Sequence, residues 1–378
     1  MCIIKRKKIK RGGSNMKVFL RIMVVLVTIF LIGFYSGPSI QENEILDNEF
    51  SDLSRQDSKS NTPPEISDGL TRPKSGLSIY IGKSAESFTG DWGEPDRIDP
   101  GQFKLDWMIY NRGPEGYMQV ALKNGVVRGI FAFGEGLDVS PYYIGQPIDE
   151  IYRFSMINSE IVVENNDNVY QFELSEQDLQ TRLLIPFGDI FAQILVDEFT
   201  GKVLGIYYLD KETLIEQRPY ELVYRGELPP LDLKEDYQRE IDAANEQQIF
   251  DMTNVLRTQR GLNEMNWEED VAKVARGHSE NMYEDSFFAN ESPTEGTLAD
   301  RLTEMGISFQ EASENIASNY HHSFAVMHAW MNSSVHRETL LKEEFTHLGV
   351  GVYQLYFTQD FIKNTKSESS VNENASAQ

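Results

Sequence analysis

Cysteine is nearly missing from this chain of 378 residues; the one present is Cys2, at the extreme start. No internal disulfide can form, so the body must be held by its core, which a chain of this length can build. Histidine is scarce too. There are six, all after residue 277, so the front half has no imidazole. Basic residues are outnumbered, 35 Lys and Arg against 59 Asp and Glu, for a net charge of −24. Eight of the cations fall in the first 37 residues, which contain no acid. The remaining body repels phosphate, and nucleic acid is set aside as a partner.

Long apolar runs are also lacking. The longest candidate lies in "KVFLRIMVVLVTIFLIGFY", where Ile22 to Tyr35 gives 14 uninterrupted residues. That is short for a membrane span but sufficient for a signal-peptide core. Counted from Val18, with Arg21 snorkelling, it reaches 18. No clean small-x-small cleavage site follows it, which favours an uncleaved anchor over a cleaved signal. In both cases the basic flank stays inside and the body lies outside the cytoplasm. The N-terminal segment is thus read as 1–37.

Residues 38–75, "SRQDSKSNTPPEISDG" among them, are too polar to bury a core and read as a disordered tether. The tail 365–378 reads the same way. Between 76 and 226 the pattern is mostly β. "YMQVALKNGVVRGIFAF" is a hairpin turning at Lys123-Asn124-Gly125, and "FAQILVDEFTGKVLGIYYL" is another turning at Thr200-Gly201. "NGVVRGIFAFG" resembles "TGKVLGIYYLD", and "YIGKSAESF" resembles "YIGQPIDEI". The spacing implies an internal duplication, each copy a short helix on a small antiparallel sheet. Nothing in this module has the spacing of a catalytic site.

Pro229-Pro230 marks a boundary, and a second domain is expected over 235–364. Helical spacing runs from Leu233 to Arg260. A second helix is expected over 266–286, capped by Asn266, with His278 on its apolar stripe. Shorter helices are expected near 297–305 and 322–332, before the β-rich "HLGVGVYQLYFTQDFI". Helices flanking a small sheet make an α-β-α layering. The whole is α+β: an α-β-α sandwich, preceded by a duplicated small α/β module and an N-terminal membrane segment.

"HSENMYEDSFFANESP", "ENIA", "AWMNSSVHRETLL" and "FTHLGVGVYQLYFTQDF" occur in order over about 240–362. These motifs resemble the CAP superfamily, named for cysteine-rich secretory proteins, antigen 5 and pathogenesis-related 1 proteins, in its bacterial form. The front half is similar to the CAP-associated N-terminal domain. The resemblance implies a surface cleft lined by two His and two Glu. Residue by residue, the glutamate of "ENI" is Glu314 and the histidine before Arg is His336. The other two places hold Asn290 and Ser333. Ser313 stands where the family usually has Gly.

The cluster "ASENIASNYHHSFAVMHAWMNSSVHRETLL" invites a metal reading, but no His-Glu-x-x-His spacing occurs. His321 and His322 are adjacent and point apart. No metal site and no cofactor are expected. His321 and His322 are read as solvent-facing residues at a helix entry, His328 as a satisfied core histidine, and His347 as packing or capping. That leaves Glu314 and His336 as the catalytic candidates, an orienter and a base, with Asn290 and Ser333 in the cleft. The favoured function is non-catalytic binding of an envelope or extracellular ligand. The alternative is an envelope-associated hydrolase using His336 and Glu314. "GVGVY" and "YFTQDF" are separated by Gln354-Leu355, without the Gly or Asn that a two-residue turn prefers.

Overall fold

The structure is a computed structural model and describes residues 39–47, 54–56, 69–230 and 237–364. The N-terminal segment 1–37, the tail 365–378 and much of the 38–75 tether lie outside the described residues. Two stretches of that tether are strands rather than the disordered chain expected: β1 (Ser39–Asp47) and β2 (Ser54–Gln56). Both lie at sheet edges. A segment too polar to build a core can still hydrogen-bond to an open edge.

Next come α1 (Ala85–Trp92), β3 (Arg97–Pro100), β4 (Asp106–Asn111), β5 (Tyr117–Lys123) and β6 (Val126–Phe133). The turn between β5 and β6 puts Asn124 at φ 55 and Gly125 at φ 74. Both values are what a tight hairpin demands, and these two residue types reach them at least cost. Then follow α2 (Ile148–Phe154), β7 (Glu160–Asn165), β8 (Asn168–Glu173), α3 (Glu176–Thr181), β9 (Arg182–Phe187), β10 (Ile190–Asp197), β11 (Lys202–Asp210), α4 (Lys211–Gln217) and β12 (Glu221–Arg225). One sheet has seven strands in the order β3-β4-β5-β6-β11-β10-β9, and another has four, β2-β12-β8-β7.

The two similar hairpins share the larger sheet instead of forming two small ones. β6 and β11 meet at its centre, antiparallel, with Phe131 opposite Tyr207. These residues hold equivalent places in "NGVVRGIFAFG" and "TGKVLGIYYLD", so the hairpins face each other about a local two-fold axis. Backbone bonds repeat across it. Gly82 N donates to Val127 O and Gly145 N to Val203 O, both at 2.8 Å; Ala85 N to Gly125 O and Ile148 N to Gly201 O are both 2.9 Å.

The C-terminal domain comprises α5 (Gln238–Gln259), β13 (Asn266–Trp267), α6 (Glu269–Glu284), α7 (Leu298–Glu304), β14 (Phe309–Ser318), α8 (Ser323–Met331), α9 (Ser334–Leu341), β15 (His347–Tyr353) and β16 (Tyr356–Asn364). Asn266 is not the cap of α6. It pairs in β13 with His347 of β15, and the helix begins at Glu269. The sheet order is β1-β14-β16-β15-β13. Along β15, Leu348, Val350 and Val352 join the core built with Ile249, Met252 and Val255 of α5. Gly349 and Gly351 face the other way, beneath α6. A Cβ at Gly349 would lie 2.2 Å from Ala272 N, and one at Gly351 1.9 Å from Arg276 N. The glycines let α6 rest directly on the strand. The domain is therefore the α-β-α sandwich, with α6 and α7 on one face and α5, α8 and α9 on the other.

Gln354-Leu355 does form the β15–β16 turn, since pairing runs to Tyr353 opposite Tyr356. Gln354 takes φ 57. Left-handed backbone costs such a residue on the order of 1 kcal/mol. The Asp242 carboxylate holds the turn by accepting the Gln354 amide at 3.1 Å.

The two domains share a core. Phe324 of α8 stacks on Phe131 at 4.4 Å and lies 5.0 Å from Tyr207, at the two-fold centre of the larger sheet. Gln248 bridges the seam, donating to Asp99 at 3.0 Å and accepting from Ser323 at 2.6 Å. Arg97 pairs with Asp251 of α5 at 2.6 Å.

Candidate functional site

Glu314 is fixed by strand alternation. Its neighbours Ser313 and Asn315 point to the α9 face, where Ser313 Oγ lies 3.1 Å from Thr339 Oγ1 and Asn315 Nδ2 donates to His336 O at 3.3 Å. Glu314 points to the opposite face. Its cross-strand partner there is Asp360. Helix α7, begun by a reciprocal Thr297–Asp300 cap, delivers Arg301 to the same spot. Arg301 Nη2 donates to Glu314 Oε2 at 2.5 Å, and its Nη1 donates to Gly296 O at 2.9 Å and Asn290 O at 3.2 Å. From α6 comes His278, with Nε2 3.0 Å from Ala289 O and 3.8 Å from Glu314 Oε1. All four side chains are buried.

Their charges can be assigned from their surroundings. Burial pushes the Asp360 carboxyl well above its usual range, and the Glu314 charge beside it adds to the effect. Burial lowers His278, although Glu314 opposes the shift. The set therefore pairs Arg301 with Glu314 beside a carboxyl and an imidazole, both of which burial pushes toward their neutral forms. It ties α6 and α7 to β14 and β16.

His336 belongs to a different set. Its Nδ1 lies 2.7 Å from Ser333 Oγ, across the start of α9. His336 is fully buried, whereas Ser333 is half-buried. The structure thus brings Ser333 to His336, and links Glu314 to the Asn290 carbonyl through Arg301. The orienter–base partnership expected of Glu314 and His336 is not what the Glu314 contacts build. Three members of the Glu314 set escaped sequence reasoning. His278 read as core because it lies on an apolar stripe. Arg301 sits in an ordinary amphipathic turn. Asp360 did leave a signal: an acid at an inward position of "YFTQDFI".

His321 and His322 are not solvent-facing. His322 stacks on Phe324 at 5.0 Å and lies edge-on to Trp107 at 5.5 Å, and His321 lies edge-on to Phe103 at 5.2 Å. Burial takes their pKa values down to about 3 and about 4. His328 is lowered to about 4 by burial, its Nε2 3.0 Å from Val196 O across the seam. His347 Nδ1 meets Thr346 Oγ1 at 2.8 Å. Among the described residues, no group of three or more His, Cys, Asp or Glu is placed to hold a metal ion.

An α-β-α sandwich carrying the "ENI" glutamate on β14 and the histidine before Arg on α9 is the arrangement of a CAP-type protein. The chain belongs to that family. The family model described as "Cysteine-rich secretory protein family" matches residues 250–362, and the one described as "CAP-associated N-terminal" matches 81–220. The chain is 39% identical over 351 residues, 92% of its length and 99% of the relative's, to an uncharacterized membrane protein, YlbC, of Bacillus subtilis. The uncharacterized protein YkwD of the same organism is 38% identical over 122 residues, 32% of this chain and 48% of that one. Among solved structures, an extracellular protein containing a SCP domain from Bacillus anthracis has a TM-score of 0.72 at 38% identity, covering 81% of this chain and 99% of that one. A cysteine-rich secretory protein from Staphylococcus aureus has a TM-score of 0.70 at 26% identity, covering 85% and 100%. Among the described residues, no helix is long and apolar enough to cross a membrane.

Proposed function

We propose that this protein acts outside the cytoplasm, held to the membrane by its N-terminal segment, as a non-catalytic binding module. The segment's basic flank and apolar run support that placement, as do a relative named a membrane protein and a similar structure titled extracellular. The ligand is an envelope or extracellular component, and its candidate contact is the half-buried Ser333 beside His336. The observation that carries the non-catalytic reading is the Glu314–Arg301 pair at 2.5 Å. A carboxylate engaged by a buried guanidinium is held by that pair rather than by His336, and the contacts of Glu314 supply no orienting bond to that ring. Co-sedimentation with isolated cell-envelope material, followed by chromatography of the supernatant, tests this. Binding that weakens in Ser333→Ala and His336→Ala without release of soluble fragments is expected. Fragment release that depends on His336 would sink the proposal.

One contact favours the hydrolase alternative, the 2.7 Å approach of His336 Nδ1 to Ser333 Oγ. A nucleophile and its base need that distance. A fluorophosphonate probe decides between the readings: covalent labelling of Ser333, lost in His336→Ala, would favour hydrolysis.

A further inference from the structure

The β15–β16 turn gathers aromatic rings at the end of α6. Along β15, Gly349 and Gly351 face α6, and Tyr353 is next in that alternation. Tyr356, its cross-strand partner, shares its face. Tyr283, on the last turn of α6, meets both, with ring centroids 5.3 Å from Tyr353 and 6.2 Å from Tyr356. Phe288, just beyond the helix, lies 6.0 Å from Tyr356. Tyr283 is 44% exposed and the other three are half-buried, so the cluster is a surface. It lies on the α6 face of the sheet, whereas Ser333 and His336 belong to the α9 face.

The charges around the rings have one sign. Burial raises the Tyr353 pKa, and Glu284 and Glu280 raise it further. Burial and then Asp47 do the same to Tyr356. All three acids are exposed. Glu284 accepts from Tyr353 Oη at 3.3 Å, and Asp47 accepts from Ser318 Oγ at 3.0 Å and Asn319 Nδ2 at 2.7 Å, all neutral donors. The two cations of α6 are engaged elsewhere, Lys273 by Asp270 at 2.8 Å and Arg276 by Glu246 at 2.6 Å. An aromatic surface with an acidic rim suits a cationic partner. A neutral sugar would use the rings but leave the carboxylate charges unanswered. The chain's own basic segment, within residues 1–37, is no candidate, since the proposed topology keeps it on the cytoplasmic side.

We propose that this face docks a basic segment of an extracellular protein. Arginine or lysine side chains lie across the rings of Tyr283, Tyr353 and Tyr356, and their charges meet Glu280, Glu284 and Asp47. Tyrosines of this kind commonly anchor protein interfaces. The partner's location follows from the proposed function, whereas the docking itself is independent of the Ser333–His336 site.

Fluorescence anisotropy of labelled hexa-arginine, titrated with the full chain in nonionic detergent at about 150 mM salt, tests the proposal. Hexaglutamate and the tetramer of N-acetylglucosamine are the comparisons. Saturable binding of hexa-arginine alone is expected. It should weaken about fivefold or more in Tyr283→Ala and in Glu280→Gln/Glu284→Gln, and be retained in Tyr283→Phe. Tyr283 is exposed enough for the thermal midpoint to stay within a few degrees. Glu164→Gln/Asp167→Asn removes as much charge from an exposed turn of the front module, and should change binding by less than about twofold. The proposal fails if hexa-arginine does not saturate, if Tyr283→Ala binds undiminished, or if the remote pair weakens binding as much as the Glu280 pair. It also fails if the N-acetylglucosamine tetramer displaces the peptide or hexaglutamate binds equally well.

Discussion

Replacing Glu314 by Gln and, separately, Asp360 by Asn should give opposite results, although the two carboxyls face each other across adjacent strands. Glu314→Gln removes the anion that neutralises Arg301, which is buried with 5% of its surface exposed. Breaking a buried pair from one side costs about 3–5 kcal/mol, because the other charge stays buried. For a body of this size that lowers the thermal midpoint by on the order of 10 °C. Asp360→Asn copies the shape of a carboxyl that is already neutral, so its cost is within about 1 kcal/mol. The sign of the pH effect follows from the raised Asp360 pKa. The native fold takes up a proton that the unfolded chain releases above its ordinary pKa. Its stabilising effect is full at low pH and lost as pH rises through the folded value. The Asn variant lacks this loss, so it should gain on the native chain as pH rises above the ordinary carboxylate range. Thermal unfolding of both variants over that rise measures all three effects. Equal damage from both, or an Asn variant that falls behind as pH rises, would refute the charge assignment.

Gly351→Ala should cost about 3 kcal/mol or more by denaturant unfolding, since its Cβ would meet the α6 backbone at 1.9 Å. Gly277→Ala, within α6 and with open space around it, should be neutral or stabilise by up to about 1 kcal/mol. The seam histidines have pKa values lowered to about 4, 3 and 4. They stay neutral in the fold and charge in the unfolded chain, so stability falls as pH drops below about 6.5, by roughly 2 kcal/mol per ring at pH 5. His322→Phe should flatten that slope; an unchanged slope would count against the assignment. Gln354→Asn relieves a φ of 57 and should raise stability by a few tenths to about 1 kcal/mol.

Local chemistry made much of this molecule legible from sequence. Asn124-Gly125 announced its hairpin, because two adjacent positive φ values have few other solutions. The short helix expected near 297–305 is α7, Leu298–Glu304. The motifs of the C-terminal half carried the family and, with it, the sandwich. Sequence also narrowed the candidates to Glu314, His336, Asn290 and Ser333.

The fate of those candidates was decided in three dimensions. Strand alternation turns Glu314 away from the face that receives α9, and packing brings it Arg301, Asp360 and His278 from three separate elements. The charge of a buried group depends on what surrounds it, and those surroundings come from distant parts of the chain. The same holds for His322, whose polar flanks suggested solvent but whose neighbours are Trp107, Tyr207 and Phe324. Sequence by itself determined most of the elements and the family, since each rests on residues close together in the chain. Only the tertiary structure decided which carboxylate is neutralised, which histidines are dry and that the two domains share one core, because each depends on a desolvation that no local pattern records.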